Sequence, residues 1–131
     1  LNRPGRAAGA GFYDYANGKK LQLWSGLKTE FENTTVAWDI ATLKDRILYR
    51  QAVETARCLS EGVLSSVHDG NIGSIFGIGF PAWTGGALQF IYSMGVDAFA
   101  KRVTELAQSC GPRFALTDEV IACLKKHQPI Y

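Results

Sequence analysis

Two short glycine-rich stretches are the first candidates for chemistry, because closely spaced glycines can cradle a phosphate. A dinucleotide fingerprint needs a strand before its glycines, and a P-loop needs a Lys-Ser/Thr pair after them. Neither feature accompanies the glycines at residues 77–86. Glycines mixed with a proline and aromatics are instead typical of a tight, buried corner, where one helix ends and the next begins against a close neighbour. The residues of this structural corner, which is also a possible interface, are Gly77, Gly79, Phe80, Pro81, Trp83, Gly85 and Gly86.

The two histidines are the candidates for acid–base chemistry. His68 is followed by Asp69, but adjacent residues in a turn seldom point at one another, so a solvated turn histidine is favoured. His127 lies beside Lys125 and Lys126 near the end of the sequence, where its charge suits the C-terminal end of a helix dipole. We therefore expect no catalytic residue here.

The three cysteines could supply a nucleophile or metal ligands. Cys58 follows Arg57, whose positive charge could activate the thiol, but Cys58 and Cys123 fall on apolar helical faces and are predicted to be buried, inert thiols. There is no CxxC pair, and the histidines do not fall at zinc-ligand spacing. The sequence predicts no metal site and favours a reducing compartment.

Apolar residues at helical spacing predict an all-α unit of about five helices. The first helix begins near Thr42, because Thr42-x-x-Asp45 has the form of a capping box, and it ends at Gly62, a left-handed cap. The second is a short helix that leads into the corner and is capped by Asp69 or Asn71.

Three more helices are predicted after the corner. The first of them is too apolar for an exposed helix and ends at Gly95. The next is capped by Asp97 and ends at Gly111, and the last is capped by Thr117 or Asp118. No convincing strand lies between these helices.

The first 35 residues differ from the rest. Residues 12–15 (Phe-Tyr-Asp-Tyr) favour extended structure, and Asn17 with Gly18 is a strong turn signal, so a short hairpin is expected. An isolated hairpin is marginally stable, so its aromatic side chains need a partner surface. We assign residues 1–35 to an extended or linker segment and residues 36–131 to a helical domain.

Length and charge exclude several classes of protein. The chain has 131 residues, one domain's worth, and its net charge of +2 is too small for a nucleic-acid-binding protein. No apolar run is long enough to cross a bilayer, and no signal-peptide core is present. The sequence opens with Leu1, in the middle of a motif, which predicts a piece of a longer protein.

Three stretches of sequence resemble, in order and spacing, parts of one known family. The stretches are residues 9–15 (Gly-Ala-Gly-Phe-Tyr-Asp-Tyr), residues 45–63 (beginning Asp-Arg-Ile-Leu-Tyr) and residues 75–86 (Ile-Phe-Gly-Ile-Gly-Phe-Pro-Ala-Trp-Thr-Gly-Gly). They resemble the C-terminal helical domain of L-3-hydroxyacyl-CoA dehydrogenases, in the second copy found in multifunctional fatty-acid β-oxidation proteins. The resemblance covers nearly the whole chain.

The resemblance implies a helical fold like that of the 6-phosphogluconate dehydrogenase C-terminal domain. It also implies that the catalytic His-Glu pair and the NAD-binding glycines belong to a preceding Rossmann-type domain, and no residue here matches either. Three positions depart from the family pattern. Asn71 and Tyr92 stand where the family usually has acids, and Ala87 follows Gly86 where the family has Gly-Pro.

The leading hypothesis is that the chain is a non-catalytic part of an NAD-dependent 3-hydroxyacyl-CoA dehydrogenase, on a chain that often also carries an enoyl-CoA hydratase. Its partners would be the preceding Rossmann and first helical domains and, indirectly, the acyl-CoA substrate. By itself it would bind no cofactor or nucleic acid and would form a homodimer. We expect an intracellular protein, cytoplasmic if bacterial and otherwise organellar. The alternative is a free-standing helical protein-interaction module; catalysis by the chain itself is a third, less favoured hypothesis.

Overall fold

The computed structural model describes residues 1–32, 37 and 39–129. The described residues divide between two compact units, Leu1–Ala37 and Trp38–Tyr131. The first unit contains a two-stranded hairpin and one short helix, and the second contains five α-helices, so the predicted mostly helical fold is confirmed.

The predicted hairpin forms in the first unit. Strand β1 (Tyr13–Ala16) pairs antiparallel with β2 (Lys19–Leu23). The turn between them places Asn17 at φ 52° and Gly18 at φ 72°, the left-handed angles that a two-residue hairpin turn requires. A short helix, α1 (Leu27–Phe31), follows β2 and was not expected from the sequence.

The second unit begins with its longest helix, α2 (Ile40–Ser60). Asp39, rather than Thr42, is the N-cap, because its carboxylate accepts from the Thr42 backbone N–H at 2.9 Å. The predicted capping box at Thr42 is therefore wrong, and the helix is capped three residues earlier. Asp45, the acid of that box, instead pairs with Arg102 at 2.8 Å. The predicted cap at Gly62 is confirmed by its φ of 73°.

Helix α3 (Val67–Ile78) also begins earlier than predicted. Ser66 is its N-cap and accepts from the Asp69 backbone N–H at 3.1 Å, while the Ser66 hydroxyl donates to the Asp69 carboxylate at 2.8 Å. These reciprocal contacts near the helix start satisfy a backbone donor that would otherwise be unpaired. Asp69 thus lies inside the first turn, and Asn71 is free for another role.

The last three helices are α4 (Ala87–Met94), α5 (Val96–Cys110) and α6 (Asp118–Lys126). The predicted ends at Gly95 and Gly111 are confirmed. Asp97 does not cap α5; it lies in the first turn and pairs with Lys125 at 2.7 Å. Thr117 caps α6, as one of the two predicted alternatives.

The core of the second unit lies where these helices meet. One of its members, Phe99, is fully buried, and its ring stacks on Tyr49 at a centroid distance of 5.3 Å. Helix α4 is buried along most of its length, as its apolar sequence predicts. The other buried core residues are Ala52, Val53, Ala56, Leu59, Leu88, Ile91, Tyr92, Val96, Val103, Leu106, Phe114, Val120 and Leu124.

Candidate functional site

The corner between α3 and α4 is held by a side chain from α3. Asn71 Oδ1 accepts from the backbone N–H groups of Leu88 and Gln89, at 3.0 and 2.9 Å. The first N–H groups of a helix have no partner within that helix. Asn71 therefore caps α4 from a neighbouring helix, at the position where the family resemblance leads one to expect an acid.

Ser74 completes the same contact. Its hydroxyl accepts from the Ala87 backbone N–H at 3.0 Å and donates to the Asn71 carbonyl oxygen at 2.9 Å. One turn of α3 thereby satisfies three consecutive N–H groups of α4. Gly86 makes this approach possible, because a Cβ on Gly86 would lie 2.5 Å from the Asn71 Cα.

The other predicted corner residues divide into buried and exposed sets. Phe80 is buried, and its ring lies edge-on to Phe90 at a centroid distance of 5.9 Å. Gly79 and Gly85 adopt left-handed angles, with φ of 71° and 79°. Pro81 is half-buried and accepts a hydrogen bond from the Thr84 hydroxyl at 2.7 Å.

Gly77 and Trp83 do not form part of a closely packed corner. Gly77 lies inside α3 and is exposed, and a Cβ added to it would meet no atom within 4 Å. The Trp83 side chain is 82% exposed. The sequence places Trp83 in a buried corner that is also a possible interface, and the structure shows that its side chain is not buried.

Trp83 is one of five large apolar side chains that are exposed on α3 and in the segments that flank it. Phe76 is 83% exposed, and the other three are aliphatic. Large exposed apolar patches mark interaction sites. We call this set of exposed residues the apolar face: Val63, Ile72, Phe76, Ile78 and Trp83.

A groove runs between α2 and α3, next to the apolar face. Its volume is about 470 Å³. Gly70, Gly73 and Ser74 leave room on the α3 side, and Val63 and Ile78 belong to both the groove and the apolar face. We call it the α2–α3 groove.

Gln51 gives the α2–α3 groove an unusual polar group. The residue lines the groove, and its Oε1 atom is buried and accepts no hydrogen bond from the described residues. Buried side-chain oxygens are normally paired, so Gln51 Oε1 is an exception among the described residues. No sequence signal identified Gln51, because whether an amide is paired depends on residues distant in the sequence.

The candidate chemical groups do not assemble into a reactive site within the described residues. The Asp69 carboxylate binds Ser66 rather than His68. Cys58 is half-buried rather than buried and lines the α2–α3 groove, and Cys123 is half-buried as well. His127 Nδ1–H donates to the Cys123 carbonyl oxygen, 2.9 Å away, at the end of α6. Residues 1–32, 37 and 39–129 hold no cluster of three metal-binding side chains.

Two core tyrosines have raised pKa values. Burial raises the pKa of Tyr92 to about 12, with a smaller contribution from Cys123. The Tyr92 hydroxyl is buried and has no hydrogen-bond partner among the described residues. Burial also raises the pKa of Tyr49, whose hydroxyl donates to Met94 Sδ at 3.3 Å. Both groups are neutral at physiological pH and serve packing.

Comparison with known proteins identifies relatives of the whole chain. The alpha subunit of the fatty acid oxidation complex from Vibrio cholerae is 35% identical over 124 residues, which cover 92% of this chain. The corresponding subunit from Shewanella loihica is 31% identical over 137 residues and covers 99% of this chain. The chain is homologous to the C-terminal region of these alpha subunits.

The homology confirms the resemblance to multifunctional fatty-acid oxidation proteins that the sequence motifs indicated. The alpha-subunit relatives are much longer, because the chain spans 17% of the Vibrio cholerae subunit and 19% of the Shewanella loihica subunit. No family model matches the chain. Among the described residues, no helix has both the length and the apolar character needed to span a membrane.

Proposed function

We propose that the chain is the C-terminal helical domain of an NAD-dependent 3-hydroxyacyl-CoA dehydrogenase that acts in fatty-acid β-oxidation. The parent protein would oxidise the 3-hydroxyl of an acyl-CoA to a 3-oxo group with NAD as the hydride acceptor. The homology to fatty acid oxidation complex alpha subunits supports this assignment. The sequence motifs at residues 9–15, 45–63 and 75–86 support the dehydrogenase part of the assignment.

The role of this domain would be structural. Hydride transfer needs a bound cofactor and a base that takes the hydroxyl proton, and we assign both to the preceding Rossmann-type domain. The domain described here would cover the first helical domain of the parent and complete the substrate cleft. NAD would therefore bind to the parent protein rather than to these residues.

The apolar face is the observation that carries this role. Phe76, in α3, and Trp83, in the segment between α3 and α4, are each more than four-fifths exposed. Large exposed apolar side chains near one another are typical of an interaction surface. The position of α3 is fixed, because Asn71 and Ser74 accept hydrogen bonds from backbone N–H groups of α4. A fixed apolar surface of this kind suits a domain that supports its neighbour.

A domain exchange tests the proposal. The matching region of the Vibrio cholerae alpha subunit would be replaced by this chain, and NAD-dependent oxidation of a 3-hydroxyacyl-CoA would be followed by the absorbance of NADH. We expect the exchanged protein to keep the activity that is measured for the intact subunit and that is lost on deletion of the region. A second exchange carrying Phe76→Asp and Trp83→Asp should behave like the deletion.

Two results would contradict the proposal. One is an exchanged protein that folds, as judged by circular dichroism, but is no more active than the deletion. The other is turnover by the purified chain alone with NAD and a 3-hydroxyacyl-CoA, because that would show that the chain contains its own catalytic groups.

A further inference from the structure

A different groove in the helical unit is bordered by arginines. It lies between α2 and a short 3₁₀ helix (Pro112–Phe114), and its volume is about 380 Å³. Arginines and apolar residues contribute equally to its lining. We call it the arginine groove and define it as Leu43, Arg46, Ile47, Arg50, Arg113 and Phe114.

The arginine groove has a surplus of positive charge. Arg46 and Arg50 lie one turn apart on α2, so their side chains are neighbours. Glu54 pairs with Arg50 at 2.8 Å and balances one of the charges. The guanidinium of Arg113 forms no ion pair or hydrogen bond with any residue that the structure describes. Three arginines against one carboxylate leave a charge of +2, which equals the formal net charge of the whole chain.

The wall that carries Arg113 is held against α2. Arg57, one turn beyond Glu54 on the same helix, donates to the carbonyl oxygens of Arg113 and Ala115 at 3.2 and 2.7 Å. Phe114, between those two residues, is buried. Ordering a loop on binding costs affinity, and these contacts remove that cost for a ligand of the groove.

The groove also has an aliphatic side. Leu43 and Ile47 are 39% and 63% exposed, and they alternate with Arg46 and Arg50 along α2. Exposed aliphatic groups and guanidinium groups therefore line the same groove. A ligand that uses both must carry an anionic group next to an aliphatic one.

Phosphate suits the charged side of the groove better than carboxylate does. Guanidinium groups bind both anions through their N–H donors. A phosphomonoester carries a charge of about −1.5 to −2 at neutral pH and three acceptor oxygens, whereas a carboxylate has one charge and two oxygens. Several arginines at one groove match the larger charge and the additional acceptor. The volume of about 380 Å³ lies in the usual range of small-molecule sites, roughly 300–1,000 Å³, which favours a small ligand over a protein segment or a membrane surface.

We propose that the arginine groove binds a soluble organic phosphate, a small molecule that joins a phosphomonoester to an aliphatic group. Arg46, Arg50 and Arg113 bind the phosphate oxygens, and the aliphatic group lies on Leu43 and Ile47. This inference rests on the groove alone and does not depend on the proposed function.

The first experiment measures binding of n-hexyl phosphate to the chain by isothermal titration calorimetry. Inorganic phosphate lacks the aliphatic group, 1-hexanol lacks the anion, and hexanoate replaces phosphate by carboxylate. We expect hexyl phosphate to bind with a dissociation constant below about 1 mM. Each of the three comparison compounds should bind at least about tenfold more weakly, because each loses either buried methylene groups or charge-assisted hydrogen bonds.

The second experiment separates the groove from the general charge of the protein. Arg113→Gln removes one charge from the groove, and Lys101→Gln removes one charge from an exposed position on α5 that does not line it. We expect Arg113→Gln to raise the dissociation constant of hexyl phosphate at least about tenfold, and Lys101→Gln to leave it nearly unchanged. Arg46→Gln is a second groove variant with the same expected direction. Circular dichroism of each variant shows whether the helices are retained.

The third experiment tests the aliphatic side. Ile47→Ser is compared with Ile78→Ser, because the two isoleucines are 63% and 60% exposed and only Ile47 lines the arginine groove. We expect Ile47→Ser to weaken the binding of hexyl phosphate and to leave that of inorganic phosphate unchanged. Ile78→Ser should change neither. A loss of both ligands in Ile47→Ser would contradict the assignment of Ile47 to the aliphatic group.

Four results would overturn the inference. The first is the absence of saturable binding of hexyl phosphate at millimolar concentration. The second is equal affinity for hexanoate, which would assign the arginines to a carboxylate. The third is an equal loss of binding in Lys101→Gln and Arg113→Gln. The fourth is a chain that sediments with phosphatidylcholine vesicles containing phosphatidic acid but does not bind hexyl phosphate, which would assign the arginines to a lipid surface. The domain-exchange experiment measures turnover of a larger protein, so its result does not affect any of these outcomes.

Discussion

The two compact units of the chain use their aromatic residues in opposite ways. In the second unit, Phe99 and Tyr49 stack in a closed core. In the first unit, none of the described residues is buried, and Phe12 and Phe31 pair at a centroid distance of 6.1 Å while both stay exposed. Aromatic residues therefore build a core in the second unit, whereas in the described part of the first unit they build none.

The difference shows what local interactions can and cannot provide. Arg3 organises the first unit: its guanidinium pairs with Asp14, donates to the Gly11 carbonyl at 2.9 Å, and lies 4.4 Å from the centroid of the Trp24 ring. These contacts shape a hairpin but bury little apolar area. A hairpin without a core is marginally stable, so we expect the first unit to depend on a surface that covers its aromatics.

The largest expected effect contrasts one phenylalanine from each unit. Phe99 is fully buried and Phe12 is 67% exposed. Phe99→Ala should lower the free energy of unfolding of the second unit by about 3–5 kcal/mol, the usual cost of emptying a core site. Phe12→Ala should change the free energy of unfolding by less than about 0.5 kcal/mol. Urea unfolding followed by far-ultraviolet circular dichroism measures both, and equal losses would contradict the contrast.

The second prediction concerns the anchor between α3 and α4. Asn71→Ala leaves the Leu88 and Gln89 N–H groups without their acceptor. The expected loss is about 2 kcal/mol of unfolding free energy, from the cost of unpaired buried donors. Asn71→Asp is the matched control, because it keeps an acceptor and its charge favours the N-terminus of α4. Equal losses in the two variants would show that the acceptor is unimportant.

The corresponding anchor in the first unit should contribute less. Arg3→Ala removes the guanidinium contacts to Asp14, Gly11 and Trp24. We expect the amide protons of the hairpin to exchange about fivefold faster, which corresponds to about 1 kcal/mol. Lys28→Ala is the control, since that side chain is 81% exposed and its ion pair with Glu32 is long, at 3.9 Å. Hydrogen exchange measured by NMR should show no change in α2–α6 for either variant.

The smallest predicted effect is a gain in stability. The Tyr92 hydroxyl is buried and has no hydrogen-bond partner in the described part of the chain, so Tyr92→Phe should stabilise the second unit by up to about 1 kcal/mol. The pKa of Tyr92 is raised from 10.0 to about 12 in the folded state. Folding therefore favours the neutral form of Tyr92. The resulting contribution to the free energy of unfolding is present below pH 10 and is lost as the pH rises toward 12.

The pH dependence offers a separate check on the tyrosine. Wild-type stability should fall between pH 10 and 12 by more than that of Tyr92→Phe, as measured by urea unfolding at several pH values. If the two proteins lose the same stability over this range, the raised pKa of Tyr92 does not contribute to folding.

Some features of the fold could be predicted because they depend on neighbouring residues only. Gly62 and Gly79 adopt left-handed angles that glycine alone adopts without strain, and they mark helix ends. The turn at Asn17 and Gly18 is similarly local. The apolar spacing predicted the helical class of the second unit for the same reason, since it depends only on helix geometry.

The contacts of individual polar side chains could not be predicted in this way. The sequence places Asp45 in a capping box with Thr42, yet it pairs with Arg102, 57 residues away. Asn71 was a candidate cap for its own helix and instead caps α4. Each side chain could have capped its own helix. The packing of the helices instead brought it next to a partner that is distant in the sequence.

The sequence by itself determined the helical class, the helix ends at glycine, the hairpin turn and the kinship with the alpha subunits, because backbone preferences and residue order are properties of the chain alone. Only the tertiary structure decided that Trp83 is exposed and that Gln51 Oε1 is buried with no donor among the described residues. Burial and pairing depend on which helices approach one another, and that is settled by the packing of side chains far apart in the sequence.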